Sequence, residues 1–293
     1  MIITTDGSRT PALECMQVPS EQLCALEQFE GAAWEDLYRA APAALRERHG
    51  LRTRRAACAT LLMAPGLDVL AFNRATGLGL EGPADRRAIG WIGEAFVAAG
   101  VRRYFVPVSP LAEPSALPSW LRAHGLRPYN RWVKLIRGVE EAAMPETRLR
   151  IERVSEEHAG DFGRIVSAAF EWPAWVGEWI AATIGRRGWL HYLAFDGRTP
   201  VAAATLRHAG PFGWPAWAAT LPEYRGQGAH AALLARRIQD ARTVGCTILT
   251  AETAENRPER PSASNRNAIR AGFLAAYLRP NYLFDSESAC LRE

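Results

Sequence analysis

Pro222-Glu223-Tyr224-Arg225-Gly226-Gln227-Gly228-Ala229-His230 joins two segments of different periodicity. A strand-like run, about Trp214 to Leu221, enters it, and a run with Leu234, Ile238 and Ala241 at helical spacing leaves it. Glycines between a strand and a helix let the backbone approach a bound group. The first amides of a helix have no partner within it, and the helix dipole makes that end positive. The predicted turn is therefore an anion seat suited to pyrophosphate. It is not a P-loop, since no G-x-x-x-x-G-K-[ST] is present and Lys134 is the only lysine. The third glycine and the acid about 20 residues on of a dinucleotide fingerprint are also missing. A plain tight turn is the alternative for a bare G-x-G.

Around this turn the elements follow in order. Phe162, Ile165, Val166 and Ala169 mark an apolar helix face that Ser155 is placed to cap. Trp172, Trp175 and Trp179 follow at helical spacing. Leu190 to Phe195 and Val201 to Leu206 read as strands joined by an Asp196-Gly197 hairpin turn. The polar, proline-bearing segment 253–266 reads as a mobile loop.

The chain also repeats itself. Phe96-Val97-Ala98-Ala99-Gly100, a strand Tyr104–Val108, then Arg122-Ala123-His124-Gly125 matches Ala241-Arg242-Thr243-Val244-Gly245, a strand from Cys246 to Thr250, then Arg270-Ala271-Gly272. The glycines are 25 residues apart in the first copy and 27 in the second, and the copies are offset by 145 to 147. Two ordered matches favour a duplication. The expected division is 1–137, a polar linker at 138–147, and 148–293.

The strand, Pro-x-x-Arg-Gly-x-Gly, an Ala-Leu-Leu helix, Gly-Cys, a strand and Arg-Ala-Gly-Phe resemble the GCN5-related N-acetyltransferase (GNAT) family. The resemblance covers 148–293, and the first half looks like a divergent copy. It implies an α/β (α+β) fold of two tandem GNAT-like domains, each a mixed central sheet flanked by helices. It also implies a splayed sheet that admits acetyl-CoA or another short acyl-CoA. In that scheme Arg225, Gly226, Gln227, Gly228, Ala229 and His230 hold the pyrophosphate. Ala219 and Leu221 pair with the pantetheine arm, and Asn265 and Asn267 hydrogen-bond it. His230 stands where the family signature has glycine or alanine. The first half's corresponding Arg74–Pro83 region lacks the spaced arginine, and Glu81 would repel a phosphate, so no cofactor is expected there. Its Phe29, Trp34 and Tyr38 region is expected to help shape a substrate cleft.

Acyl transfer needs an amine freed of its proton, a stabilised oxyanion and a thiolate that can leave. The tyrosine that the family often supplies four residues before Gly-Phe is Ala268 here. Tyr277 is the nearest replacement as acid, and Glu252, near the end of its strand, is the candidate base; His191 and His208 are alternatives. A packed strand tyrosine and a loop glutamate are the competing readings. Trp172, Trp175 and Trp179 are the candidate substrate wall, or else a core stripe.

Composition sets limits. The 293 residues are 48% hydrophobic and 23% charged with a net charge of +4, and no block of five like charges suggests a nucleic-acid arm. Apolar runs are too short to span a bilayer, and Met1–Gly7 lacks signal-peptide features. Five scattered cysteines suit a reducing cytoplasm and form no metal pattern. The expectation is a cytoplasmic acyl-CoA-dependent N-acyltransferase of a small-molecule amine, without metal, nucleic acid or membrane. A non-catalytic acyl-CoA sensor or scaffold is the alternative.

Overall fold

The computed structural model describes residues 18–56 and 58–287; Cys15, Cys290 and the Met1–Gly7 segment lie outside them. Helix α1 (Ser20–Ala40) turns Leu26, Glu27, Phe29, Glu30, Ala33, Trp34, Leu37 and Tyr38 inward. After it come α2 (Ala43–His49), β1 (Arg52–Ala56), β2 (Ala59–Met63), β3 (Arg74–Thr76), α3 (Arg86–Ala98), β4 (Arg103–Pro107), α4 (Leu117–Ala123) and β5 (Arg127–Gly138). The second half runs β6 (Arg150–Val154), α5 (Ala159–Phe170), α6 (Ala174–Ala181), β7 (Trp189–Asp196), β8 (Thr199–Ala209), β9 (Phe212–Thr220), α7 (Ala229–Thr243), β10 (Ile248–Ala254), α8 (Ala263–Arg270) and β11 (Leu274–Asp285). β4 and β10 start 145 residues apart, and β5 and β11 are twelve-residue strands offset by 147.

All the strands lie in one sheet, in the order β1-β2-β3-β4-β11-β5-β10-β9-β8-β7-β6. The sheet therefore runs unbroken across the expected 138–147 boundary. The two long terminal strands have changed places. β11 pairs antiparallel with β4, β5 pairs antiparallel with β10, and the two pair with each other at the centre. Each half is completed by a strand from the other.

Two of the expected local features differ. Ser155 makes no capping hydrogen bond to the turn that follows; its hydroxyl binds the Glu157 carboxylate instead. The segment 253–266 is not all loop, since α8 begins at Ala263 with Ser262 accepting from the Asn265 amide at 3.2 Å. The sequence signal for this start was present, a serine at the cap position.

Helices cover both faces. On one, α1 packs Phe29, Trp34, Leu37 and Tyr38 against Trp179 and Ile180 of α6 and Phe162 and Ile165 of α5. On the other, α7 packs Leu233, Leu234 and Ile238 against β7, β8 and Leu249 of β10. Where α1 crosses the sheet centre it meets charge rather than oil. Glu27 and Glu30 face Lys134 of β5, Arg74 of β3, Arg279 of β11 and, through the arginines, Glu252 of β10. Three acids balance three bases, as a buried group of this kind must.

Candidate functional site

The loop after β9 has the geometry of an anion cradle. A short turn at Pro222–Tyr224 reverses the chain, and Gly226 and Gly228 then take φ of +80° and +82°, where a side chain is strained. Thr147 braces the loop from behind, its hydroxyl donating to the Gln227 carbonyl at 2.8 Å. The first bond of α7 runs from the Ala232 amide to the Gly228 carbonyl at 3.0 Å. Among the described residues, the amides of Gly226 to His230 donate to no protein atom. They border a depression of about 520 Å³, with Arg225 and Arg270 on its rim. Partnerless amides, a helix N-terminus and two guanidiniums together favour a phosphate-bearing ligand.

Beside the cradle the sheet opens. β9 and β10 run parallel but pair only at Phe212–Ile248 and Gly213–Leu249, and then part. The opening side of β9 is kinked by a bulge opposite Ala203–Thr205, with Trp217 at φ +48°. The Leu221 amide is bonded to the Val201 carbonyl at 3.0 Å. The alternation of an antiparallel ladder then turns the backbone groups of Ala218 and Thr220 toward the gap. The expected pairing groups shift accordingly. Ala219 lines the depression but its backbone faces β8, where it opposes Ala203, and both polar groups of Leu221 are taken, the carbonyl by Tyr224.

A second cavity of about 370 Å³ fills the gap and shares Phe170, Ala218, His230 and Ser264 with the first. Its wall carries five indoles, Trp34, Trp132, Trp172, Trp214 and Trp217. Trp34 and Trp132 come from the first half of the chain; Phe29 and Tyr38, named with Trp34 as a cleft region, lie in the core and not on this wall. Of the tryptophans at 172, 175 and 179, only Trp172 lines the cavity. Trp175 stacks on His49 with ring centroids 3.8 Å apart, and Trp179 is fully buried with its indole N–H on the Leu37 carbonyl at 2.8 Å. Both pack between the halves, Trp179 in the core and Trp175 half-buried at its edge. Sequence periodicity missed Trp132, Trp214 and Trp217 because they sit on strands β5 and β9, outside any helical spacing.

His230 stands where the two cavities meet. Burial, reinforced by Arg237, lowers its pKa to about 4, so the imidazole is neutral at physiological pH. Arg270 donates to Asn267 Oδ1 at 3.4 Å, which leaves the Asn267 amide nitrogen facing His230 Nδ1 at 3.3 Å. A guanidinium only donates, so Nδ1 accepts and the imidazole proton sits on Nε2. This is a hydrogen-bond donor, not a base. Asn265 differs from Asn267: its side chain is bonded to Thr253 Oγ1 at 3.0 Å. The Gln227 side chain meets Arg148 at 3.3 Å, outside the depression, so its amide alone is offered to a ligand.

The expected catalytic pair is engaged elsewhere. Tyr277 donates to Glu27 Oε1 at 2.6 Å, and burial, with Glu27 adding to it, holds its hydroxyl pKa far above the usual phenol range. It is part of the ion cluster under α1 and is no acid for a thiolate. Glu252 lines the second cavity, but Arg74 lies 3.4 Å from Oε2 and Arg279 contacts Oε1. Its charge is taken up by two guanidiniums. His191 is buried and bonded to Thr183 Oγ1 at 2.9 Å, and His208 lies in a separate surface cleft beside Arg207. Neither adjoins the cradle.

The corresponding loop of the first half is filled by its own chain. The Ala84 amide donates to the Glu113 carbonyl at 2.9 Å, and Asp85 caps α3 by accepting from the Arg87 amide at 2.9 Å. A β-carbon on Gly79 would lie 2.4 Å from the Glu113 carbonyl oxygen, so the two segments are in close contact there. Among the described residues no cluster of His, Cys, Asp and Glu could hold a metal ion, and no helix is long and apolar enough to cross a membrane.

Comparison with known proteins agrees with this geometry. Residues 151–261 match the model of the Acetyltransferase (GNAT) family, a stretch that includes the cradle. The chain shares its fold with a GCN5-related N-acetyltransferase from Kribbella flavida, at 20% identity and a TM-score of 0.62 over 92% of this chain and 96% of that one. A GCN5-related N-acetyltransferase from Sphaerobacter thermophilus aligns at 16% identity and a TM-score of 0.56, covering 92% and 94%. A conserved protein of unknown function from Staphylococcus epidermidis aligns at 12% identity and the same TM-score of 0.56, covering 81% and 95%. No curated protein matches the sequence. The fold is thus a GNAT-type mixed α/β fold with one large sheet flanked by helices.

Proposed function

We propose that the protein is an acyl-CoA-dependent N-acyltransferase, in the simplest case an N-acetyltransferase, acting on the amine of a small molecule in the cytoplasm. The observation that carries this reading is the row of partnerless amides from Gly226 to His230, opening into a split sheet that continues into a second cavity. In this scheme the amides and Arg225 bind the pyrophosphate, and the pantetheine arm adds to the open side of β9 at Ala218 and the Thr220 amide, the Thr220 carbonyl being 3.4 Å from Arg225 Nε.

The amine nitrogen attacks the thioester carbonyl carbon, the C–S bond breaks, and the nitrogen sheds its surplus proton to water. His230, with its proton on Nε2, donates to the charge that builds on the oxygen and then on the departing sulfur. It takes the place of the tyrosine absent at 268, since Ala268 lines the same cavity. Preorganised donors of this kind lower the barrier by about 3 kcal/mol.

The two halves are read as duplicated copies, divided at 138–147, of which the second alone binds cofactor. Support comes from the first half's loop, where the Glu113 carbonyl and the Asp85 carboxylate already accept from the Ala84 and Arg87 amides at the start of α3. Titration with acetyl-CoA by calorimetry tests the proposal: binding of one molecule per chain is expected, and no heat at millimolar ligand overturns it. A second reading, a non-catalytic acyl-CoA sensor, is favoured by the engagement of both Glu252 and Tyr277 in ion pairing. Release of free thiol from acetyl-CoA with a broad amine panel separates the two.

A further inference from the structure

Donors outnumber acceptors among the polar side chains on the wall of the aromatic cavity: five indoles, Arg237 and His230 against the Glu252 carboxylate and the Thr253 and Ser264 hydroxyls. Trp34, 4% exposed, and Trp217 carry indole N–H groups that have no partner among the described residues. Arg237, 1% exposed, reaches the cavity with Nε on the Leu233 carbonyl at 3.0 Å and Nη1 on the Thr205 and Ala216 carbonyls at 3.1 Å. Among the described residues no carboxylate pairs with it, and backbone carbonyls alone hold its charge. His230 adds a further donor. The one acid on the wall, Glu252, is bound to Arg74 and Arg279.

Two consequences follow for a bound molecule. Buried N–H groups without partners are unfavourable until a ligand atom accepts from them. A fitting ligand therefore brings oxygen acceptors. Five indoles give flat apolar walls, and two of them already hold a cation: the Arg74 guanidinium lies 4.3 Å from the Trp34 ring centre and 5.5 Å from that of Trp132. With Arg237 adding positive charge, a polycation is repelled.

Building on the transferase reading above, we propose that the acceptor is a flat, apolar primary amine bearing a carboxylate or carbonyl oxygen, the chemistry of an aromatic amino acid or its amide. The amine points toward His230 and the thioester, the ring lies among the indoles, and the oxygen takes the N–H of Trp217 or Trp34 and the field of Arg237.

The test is calorimetry on the full chain saturated with CoA, which permits binding without turnover. L-tryptophan, L-tryptophanamide, tryptamine and spermidine are titrated in turn. Tryptophan or its amide is expected to bind at least about tenfold more tightly than tryptamine, with no heat from spermidine. Trp217→Phe keeps the ring and removes the N–H; it is expected to weaken the oxygen-bearing ligands about fivefold, leave tryptamine unaffected and retain CoA affinity. Equal binding of tryptophan and tryptamine, tighter binding of spermidine, or CoA binding with no binding of any of the four overturns the proposal. If CoA itself does not bind, the transferase reading fails instead. Should tryptophan bind but its amide not, the recognised oxygen is a carboxylate; the reverse assigns a carbonyl.

Discussion

The Tyr277 hydroxyl donates a 2.6 Å hydrogen bond to Glu27 Oε1, joining the last strand to the first long helix across 250 residues. Arg279, two residues further along β11, contacts the other oxygen of the same carboxylate. The last strand is thereby fastened to α1 at two points. Tyr277→Phe removes one of them and should lower stability by about 1.5–3 kcal/mol, the range for a hydrogen bond to a charged group. Urea unfolding measures this. Turnover per folded molecule should be unchanged, and a hundredfold fall in kcat with stability intact would restore Tyr277 to the catalytic role that the sequence suggests.

Glu30 ties the ion cluster to pH. Burial alone would raise its pKa, but Lys134, then Arg279 and Arg74, overcome that and bring it down to about 2 from 4.5. A carboxyl lowered on folding stabilises the native state above its unfolded pKa. The contribution of Glu30 is thus complete above about pH 4.5 and is lost as pH falls toward 2. Melting temperatures between pH 7 and 3 should fall less steeply for Glu30→Gln than for the parent. At pH 7, Lys134→Met leaves a buried acid short of a partner and should cost about 3–5 kcal/mol.

A pair of substitutions isolates charge at the cradle. A β-carbon on Gly226 meets nothing within 4 Å, and asparagine and aspartate both tolerate positive φ. Gly226→Asn and Gly226→Asp are alike in shape and backbone strain. Acetyl-CoA affinity should survive the first within about threefold and fall at least about tenfold in the second. Equal affinities would remove the pyrophosphate from this loop.

His230 can be tested through the thiol of bound CoA. If Nε2–H donates to sulfur, the thiol pKa of bound CoA should rise by about one unit in His230→Ala, read from thiolate absorbance. His230→Gln, which keeps a donor, should restore part of the shift. Affinity for desulfo-CoA should be the same in all three. Because the imidazole pKa is lowered to about 4 from 6.5, the neutral residue destabilises the fold progressively as pH falls from about 6.5 to 4, where the unfolded chain binds the proton first. His230→Gln should flatten that part of the stability profile.

The strand, glycine turn and helix around Gly226 and Gly228 are legible from sequence because glycine is required locally by positive φ. The 145–147 offset is legible for the same reason, since Gly100, Gly125, Gly245 and Gly272 all end helices in the left-handed region. The chemistry of Glu252 and Tyr277 is not legible, because Arg74 and Glu27, which occupy them, lie 178 and 250 residues away. Helical spacing puts Trp175 and Trp179 on an apolar face but is silent on whether that face meets a cavity or α1. The exchange of β5 and β11 leaves no local trace either, since it depends on which distant strand each twelve-residue run pairs with.

That exchange explains how a half with a self-filled loop persists. Cutting at the midpoint would strip β10 of its neighbour β5 and leave β11 with no β4 beside it, exposing bare edges prone to aggregate. Separate loss of either part is thereby penalised at the level of folding. The loops of the first half can vary while its strands stay indispensable to the shared sheet, a dependence that ties the fate of each half to that of its neighbour.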